Sequence, residues 1–149
     1  MEALLPQAKP MILLSGYEPP SGESTVDAWV DVAPNSPFCE GGLGGVPGCV
    51  ALEYMAQTMA LCVGLSRRSQ ALPPKMGFVL GSRKLEVRVP CFKIGERYGV
   101  RAVCTYQDES FGSFDCTVRD RSGEIVASAQ MTAFQPEDGI TPDKLEEFA

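Results

Sequence analysis

The stretch Cys49–Arg68 most constrains the fold of this chain, because it predicts a long helix that is apolar on almost every side. It contains no proline, and its first glycine is Gly64. Pro47 suits the first turn of such a helix, and Arg67 and Arg68 lie at the C-terminal end, where the helix dipole favours basic residues. A helix with apolar residues all round is expected to be buried all round. The rest of the chain must therefore supply a cover.

The cover is predicted to be an antiparallel β-sheet, because most segments outside the helix alternate between apolar and polar residues. Ser24–Val32 is the clearest case before the helix, although Trp29 falls on its polar face and must meet another surface or a partner subunit. Lys84–Val89 is the clearest case after the helix. We predict strands over Met11–Ser15, Ser24–Val32, Gly77–Leu80, Lys84–Val89, Tyr98–Tyr106, Phe114–Val118 and Ile125–Phe134, and a helix start that frays at Thr141.

The chain is expected to fold as one domain, residues 1–149, since it has an ordinary domain length and no linker or internal repeat. A curved antiparallel sheet wrapped around one central helix is the hot-dog arrangement, an α+β fold. Such a sheet leaves an edge and an apolar flank, which a second copy or a related subunit would cover. We therefore expect a homodimer or a heterodimer.

The chain contains no histidine, so it lacks the usual general base and the commonest metal ligand. Its formal net charge of −6 argues against nucleic-acid binding. The six cysteines include no C-x-x-C pair, so we expect no metal, no cofactor and mostly buried thiols in a cytoplasmic protein. The longest apolar run, Cys49–Leu65, is interrupted by Glu53 and Gln57 and is shorter than the about 20 residues of a membrane span.

Glu53 and Gln57 are the candidate catalytic residues, because they are polar residues within an apolar helix. Burial disfavours an ionised carboxyl group, so Glu53 is a candidate proton donor; alternatively, it only fixes the preceding loop through backbone amides. Gln57 lies one turn later on the same face. It would hold Glu53 or a ligand hydroxyl group, or else satisfy loop backbone.

The segment before the helix is the candidate substrate-binding site. Backbone amides at a helix N-terminus stabilise an oxyanion that develops on a thioester, and here they would come from Val46, Pro47, Gly48 and Cys49. Gly48 would let the thioester carbonyl approach the backbone closely. The alternative is an ordinary helix entry that binds no ligand.

Two further groups of residues are candidates for a function. Cys39 and Cys49 flank the loop, but no neighbouring His or Lys is evident to act as a base for a nucleophilic thiol. A basic patch would suit phosphopantetheine or an acidic carrier protein, although solvated helix and strand ends are the alternative. Its residues are Arg67, Arg68, Lys75, Arg83 and Lys84.

Residues 35–57 resemble the active-site loop and central helix of β-hydroxyacyl-(acyl carrier protein) dehydratases. They read Asn-Ser-Pro-Phe-Cys-Glu-Gly-Gly-Leu-Gly-Gly-Val-Pro-Gly-Cys-Val-Ala-Leu-Glu-Tyr-Met-Ala-Gln. Leu5–Leu14 resembles the first-strand motif of the family, and the match extends through Gly77–Arg83 and Val89-Pro90. The Gly-rich loop running into Val-Pro before Glu-Tyr-Met-Ala-Gln is most similar to dehydratase-like proteins of aryl-polyene pathways. The resemblance implies a role in fatty acid or polyketide biosynthesis, with an acyl-carrier-protein or coenzyme A thioester as ligand.

The chain departs from the family at its catalytic base. The family's catalytic His corresponds to Gly42, its first-strand His corresponds to Gln7, and three residues are missing between Gly42 and Pro47. In the family, the His removes the α-proton and the helix acid, matched here by Glu53, protonates the leaving β-hydroxyl group. Gly42 is therefore assigned to the substrate site.

Three functions stay open. The chain is a dehydratase whose Glu53 works with water, a backbone oxyanion site or a residue of a partner chain. Alternatively, it is a non-catalytic partner subunit of an active dehydratase. The third possibility is a hot-dog acyl thioesterase in which Glu53 activates water.

Overall fold

The computed structural model describes residues 1, 4–5, 11–20, 22, 24–72 and 77–136. One helix, α1, follows a single 3-10 turn, Gly48–Val50, and eight strands accompany it in the described part of the chain. The elements in chain order are β1 (Gly16–Tyr17), β2 (Thr25–Asp31), β3 (Gly45–Pro47), α1 (Ala51–Ser69), β4 (Phe78–Val87), β5 (Cys91–Lys93), β6 (Arg97–Gln107), β7 (Phe111–Arg119) and β8 (Ile125–Phe134).

Six of the strands form one antiparallel sheet in the order β1-β2-β6-β7-β8-β4, and β3 pairs with β5 in a separate two-stranded sheet. The helix α1 packs against β2, β6, β7 and β8. Alternate residues of the strands face it, so that Val26, Ala28 and Val30 of β2 and Val100 and Ala102 of β6 are buried. One central helix on a large antiparallel sheet confirms the predicted hot-dog architecture.

The predicted strand Met11–Ser15 is wrong, because β1 contains only Gly16 and Tyr17. The backbone groups of Met11 and Leu13 bond to the side chain of Gln57 instead of to a neighbouring strand. A side chain on the helix has thus taken the place of a strand partner.

The predicted strands Gly77–Leu80 and Lys84–Val89 form one continuous strand, β4, at the edge of the large sheet. Its pairing with β8 shifts register between Arg83 and Glu86, where Lys84 has a φ of 53°. The prediction of a half-buried apolar face is wrong within this chain, since Leu85 is 43% and Val87 38% exposed. An edge strand lacks a neighbour on one side, and nothing in the described chain covers this face.

Trp29 is covered within the chain and does not require a partner subunit. Its indole lies over Gly16, where a Cβ atom would collide with the ring. The guanidinium of Arg97 lies over the indole ring, 5.0 Å from its centroid. The argument for a dimer therefore rests on the edge strand alone.

All six cysteines are free thiols, but the prediction that most of them are buried is wrong, because only three are: Cys62, Cys91 and Cys116. Burial raises the pKa of the Cys62 thiol to about 11 and that of Cys116 to about 12, which fits inert core residues. Within residues 1, 4–5, 11–20, 22, 24–72 and 77–136, no cluster of three metal-ligating side chains occurs. The predicted helix start at Thr141, Gln7 and Lys75 lie outside the described residues.

The helical segment Gly48–Ser69 is long enough and apolar enough to cross a membrane. This differs from the expectation that the apolar run Cys49–Leu65 is too short for a membrane span. The helical segment has 22 residues, and an 18-residue window within it has a mean hydropathy of 1.3. However, 56% of that window is buried inside the protein. The core helix of a soluble protein has the same properties.

Candidate functional site

Gln57 is completely buried and binds the N-terminal part of the chain. Its Oε1 accepts a hydrogen bond of 2.8 Å from the Leu13 amide, and its Nε2 donates to the Met11 carbonyl at 2.6 Å. The same nitrogen donates to Oε1 of Glu53 at 3.0 Å. Since both N–H groups are used, the amide has no donor left for a ligand hydroxyl group. Gln57 therefore links Glu53 to the backbone of Met11–Leu13.

Glu53 lies in the first turn of α1 and is half-buried. The helix dipole favours a carboxylate at this end. Oε1 of Glu53 accepts a hydrogen bond from Gln57, whereas Oε2 has no hydrogen-bond partner among the residues that the structure describes. The second oxygen is thus the one available to a ligand.

Gly42 lies in the exposed turn between Glu40 and Gly45. The Glu40 amide donates to the Gly45 carbonyl at 2.9 Å, and the Gly44 amide donates to the Glu40 carbonyl at 3.0 Å. Gly44 takes the positive φ of this turn, 79°, while Gly42 does not have a positive φ. A Cβ atom at Gly42 would meet no heavy atom within 4 Å. The turn therefore has space for a larger side chain at position 42.

The helix entry is more tightly paired than the sequence suggests. Val46 is completely buried opposite Phe92, and Pro47, which has no N–H, lies opposite Cys91. The Gly48 amide donates to the Pro90 carbonyl at 2.9 Å, which corrects the expectation of a free amide there. A Cβ atom at Gly48 would collide with the Val89 carbonyl, so this glycine serves backbone packing.

The substrate-binding role of Val46, Pro47, Gly48 and Cys49 stays a prediction. Among them, Cys49 is exposed at the first helical turn. Cys39, on the other side of the loop, is half-buried.

The basic residues lie on two elements. Arg67 and Arg68 are in the last turn of α1, Arg67 half-buried and Arg68 exposed. Arg83 and Lys84 are exposed on the edge strand β4.

An apolar cavity of about 90 Å³ lies beside α1, and no pattern in the sequence predicted it. The helix contributes Ala56, Ala60 and Val63, and β7 contributes Phe111 and Phe114. The signal in the sequence is the pair of small residues Ala56 and Ala60, which lie four positions apart on the helix. In a helix that is apolar on every side, this spacing does not distinguish a cavity from tight packing.

A buried helix on an antiparallel sheet, with a carboxylate in its first turn, defines a hot-dog protein of the thioesterase and dehydratase class. The sequence model of the ApeP-like dehydratases, described as ApeP dehydratase, matches residues 1–146. The chain belongs to this family. The comparison with curated proteins finds no match.

Solved structures agree with this assignment. The chain is similar to a chain of the dehydratase heterocomplex ApeI:P from Xenorhabdus doucetiae, with 28% identity, a TM-score of 0.86 and coverage of 99% of this chain and 95% of that chain. A hypothetical thioesterase with coenzyme A from Streptococcus pneumoniae TIGR4 has 19% identity and a TM-score of 0.62, covering 83% of this chain and 88% of that chain. The PaaI protein of the E. coli phenylacetic acid degradation operon has 14% identity and a TM-score of 0.61, covering 80% and 81%. The thioesterase and the PaaI protein share the fold of this chain.

Proposed function

We propose that this chain is the histidine-free subunit of a heteromeric dehydratase that acts on 3-hydroxyacyl thioesters, bound to an acyl carrier protein or coenzyme A. In this assembly Glu53 supplies the acid and a related dehydratase subunit supplies the base. One observation carries the proposal: a member of a dehydratase family holds a half-buried carboxylate on its central helix but has no histidine. The free thiols support a reducing, cytoplasmic location.

Dehydration of a 3-hydroxyacyl thioester requires one group that accepts a proton and one that donates a proton. The base removes the proton from the α-carbon, the α–β double bond forms, and the β-hydroxyl group leaves as water with the proton of the acid. Gln57 donates to Oε1 of Glu53, so Oε2 is the oxygen that carries the transferred proton. The buried Gln57 thereby fixes the orientation of the Glu53 carboxyl group.

The edge strand β4 is the surface proposed for the partner subunit. Four large apolar side chains on it are exposed: Val79 by 46%, Leu80 by 58%, Leu85 by 43% and Val87 by 38%. An unpaired edge with apolar side chains invites association with another strand. A related dehydratase is proposed as the partner in preference to a second copy, because a second copy would bring no histidine.

Reconstitution with a histidine-containing dehydratase of the same organism tests the proposal. We expect the chain alone to be inactive, and the mixture to form a complex in light scattering that converts 3-hydroxyacyl-pantetheine to the enoyl product. Glu53→Gln within the complex should lower kcat by about 10²-fold or more. Glu124→Gln is the matched control, because Glu124 is exposed in the turn between β7 and β8 and is not part of the edge strand β4.

Three other outcomes would each lead to a different conclusion. Full activity of the complex with Glu53→Gln would make the chain a non-catalytic partner. Release of the free acid in place of the enoyl thioester would indicate the thioesterase alternative. The absence of a complex at micromolar concentration would contradict the heteromeric assembly.

A further inference from the structure

Two adjacent cations, Arg83 and Lys84, lie in the middle of the edge strand β4. Both are exposed, and neither forms an ion pair with a residue that the structure describes. The next cation along the chain, Arg88, is paired with Glu86 at 2.9 Å. Residues 83–88 thus hold three cations and one carboxylate, a net charge of +2, although the whole chain carries −6. The edge is locally basic on an acidic protein.

Elsewhere in the same sheet, a neighbouring strand supplies the carboxylate that a cation requires. Asp27 of β2 lies directly opposite Arg101 of β6, and the guanidinium donates to both carboxylate oxygens at 2.7 and 2.9 Å. Asp31 and Arg97 form the same kind of pair. Opposite charges on facing residues of neighbouring strands stabilise the pairing. The strand β4 has a neighbour on one side only, where Arg83 faces an uncharged glutamine, so a facing carboxylate has to come from outside the described chain.

Apolar side chains flank the two cations along β4. Val79 and Leu80 precede them, Leu85 and Val87 follow them, and all four are exposed. Exposed apolar side chains on an unpaired edge favour association with another strand, whereas charged side chains there oppose it unless opposite charges face them. The apolar residues by themselves do not distinguish one partner strand from another. The distinction therefore depends on the charges.

A second copy of this chain is a poor match for such an edge. Two copies that pair through the middle of β4 are related by a twofold axis, so the same patch of each chain meets itself. Arg83 and Lys84 lie beside the middle of Phe78–Val87, so this pairing brings four unneutralised cations together. Like charges on facing strands destabilise the pairing. A strand with Asp or Glu at the facing positions has the opposite effect.

We propose that Arg83 and Lys84 select the partner subunit: they oppose self-association of this chain and bind carboxylate side chains on the edge strand of a related dehydratase. The inference rests on the proposed function, because it takes the partner to be a dehydratase subunit that pairs along β4. It assigns two residues of the predicted basic patch to the choice of partner. It also names the chemistry of that partner, an apolar edge strand with acidic residues opposite the middle of β4.

The first experiment requires this chain alone. Sedimentation velocity at low ionic strength measures the association of the unaltered protein, of Arg83→Glu/Lys84→Glu, and of an equimolar mixture of the two. Each protein by itself presents like charges at its edge, whereas the mixture presents opposite charges. The mixture should therefore associate at least about tenfold more tightly than either protein alone. At about 1 M salt this difference should disappear, because the charges are screened.

Arg119→Glu/Arg121→Glu is the matched control for the charge reversal. It changes the net charge of the chain by the same amount, and both residues are exposed at the end of β7 and in the turn that follows, away from β4. Its mixture with the unaltered protein should associate no more tightly than the unaltered protein alone. Circular dichroism checks that every variant is folded.

The second experiment measures the affinity of the chain for a histidine-containing dehydratase by fluorescence anisotropy. Arg83→Glu/Lys84→Glu should weaken the complex by about tenfold or more, while Arg119→Glu/Arg121→Glu should leave it unchanged. Replacement of the acidic residues on the partner's edge strand by lysine should restore binding of the Arg83→Glu/Lys84→Glu variant and weaken binding of the unaltered chain.

Two results would overturn the inference: a mixture that associates no more tightly than the unaltered protein, or a complex whose affinity does not respond to Arg83→Glu/Lys84→Glu. If an acidic carrier protein bound the unaltered chain but not the variant, and assembly were unchanged, the two cations would serve the carrier instead. Association is measured without substrate, so it does not depend on dehydration. A complex that dehydrates its substrate but is insensitive to the charge reversal would contradict only this inference. A charge-dependent complex without dehydration would contradict only the proposed function.

Discussion

Two adjoining sides of α1 differ in what covers them. On one side, the N-terminal part of the chain packs against the helix, with the Leu4 backbone against Gly64 and the Met11 and Leu13 backbone on Gln57. On the adjoining side, Glu53, Ala56, Ala60 and Val63 are half-buried, and the last three border a cavity. We call these the closed side and the open side.

The difference shows how one helix can serve both stability and chemistry. Backbone-to-backbone contact on the closed side leaves no room for a ligand, and each polar atom of the Gln57 amide has a partner. The open side keeps a carboxylate oxygen and a cavity accessible. Gln57 connects the two, since it binds the N-terminal backbone and holds Glu53.

The largest expected effect comes from supplying the base that the open side lacks. Gly42→His should raise 3-hydroxyacyl-pantetheine dehydration by the chain alone by about 10²–10⁴-fold, the usual value of a placed general base. The turn accepts the substitution, because Gly42 has no positive φ and a Cβ atom there meets nothing within 4 Å. Gly42→His/Glu53→Gln should lose the gain. If the unaltered chain already turns over at about 1–10³ s⁻¹, the missing base is not the limitation.

The next effect concerns the polar contact of the closed side. Gln57→Leu should lower the free energy of unfolding by about 2–4 kcal/mol, because it leaves the Leu13 amide and the Met11 carbonyl unsatisfied. Urea denaturation measures the loss. Gln130→Leu, an exposed glutamine, should stay within about 0.5 kcal/mol of the unaltered protein. Equal effects of the two variants would show that the closed side does not depend on Gln57.

A smaller effect is expected at the backbone contact of the closed side. Gly64→Ala should destabilise the protein by about 1–3 kcal/mol, because the new Cβ atom collides with the Leu4 carbonyl. This loss opposes the helix propensity of alanine, which alone would stabilise by about 1 kcal/mol. Gly99→Ala is the control, since a Cβ atom there meets nothing within 4 Å. A stabilised Gly64→Ala protein would mean that Leu4 does not pack on this side.

The smallest effect is expected at the rim of the open side, where Asp108 organises the β6–β7 turn. Hydrogen bonds from the Phe111 and Ser110 amides and the Tyr106 hydroxyl lower the pKa of Asp108 below its ordinary value of 3.8. The stability that these bonds provide is therefore present above that value and is lost as the pH falls below it. Asp108→Asn should lower Tm at about pH 6 and reduce the further loss at about pH 3. An unchanged acid profile would show that another carboxylate dominates.

Much of the fold follows from local pattern. The alternation in Ser24–Val32 predicted the buried face of β2, and the mostly apolar stretch Cys49–Arg68 predicted the central helix within a few residues. Glu53 and Gln57 were identified because polar residues in an apolar helix require partners. The resemblance in residues 35–57 led to the dehydratase family, which the family comparison confirms.

Other features could not be predicted because they depend on partners distant in sequence. Met11–Ser15 has the composition of a strand, but its backbone bonds to a side chain more than forty residues away. Leu85 and Val87 have the alternation of a half-buried strand, but their place at the sheet edge leaves them exposed. Gly48 has the position of a ligand-binding glycine, but the Val89 carbonyl and the Pro90 hydrogen bond occupy its surroundings.

The sequence by itself determined the central helix, the strands that alternate, the candidate acid and the absence of a histidine base. These properties are local, because periodicity and residue type act over a few neighbouring positions. Only the tertiary structure decided which side of α1 is closed and which is open. A helix that is apolar all round carries no periodicity that separates its sides, so the distinction arises from which distant backbone packs against each one.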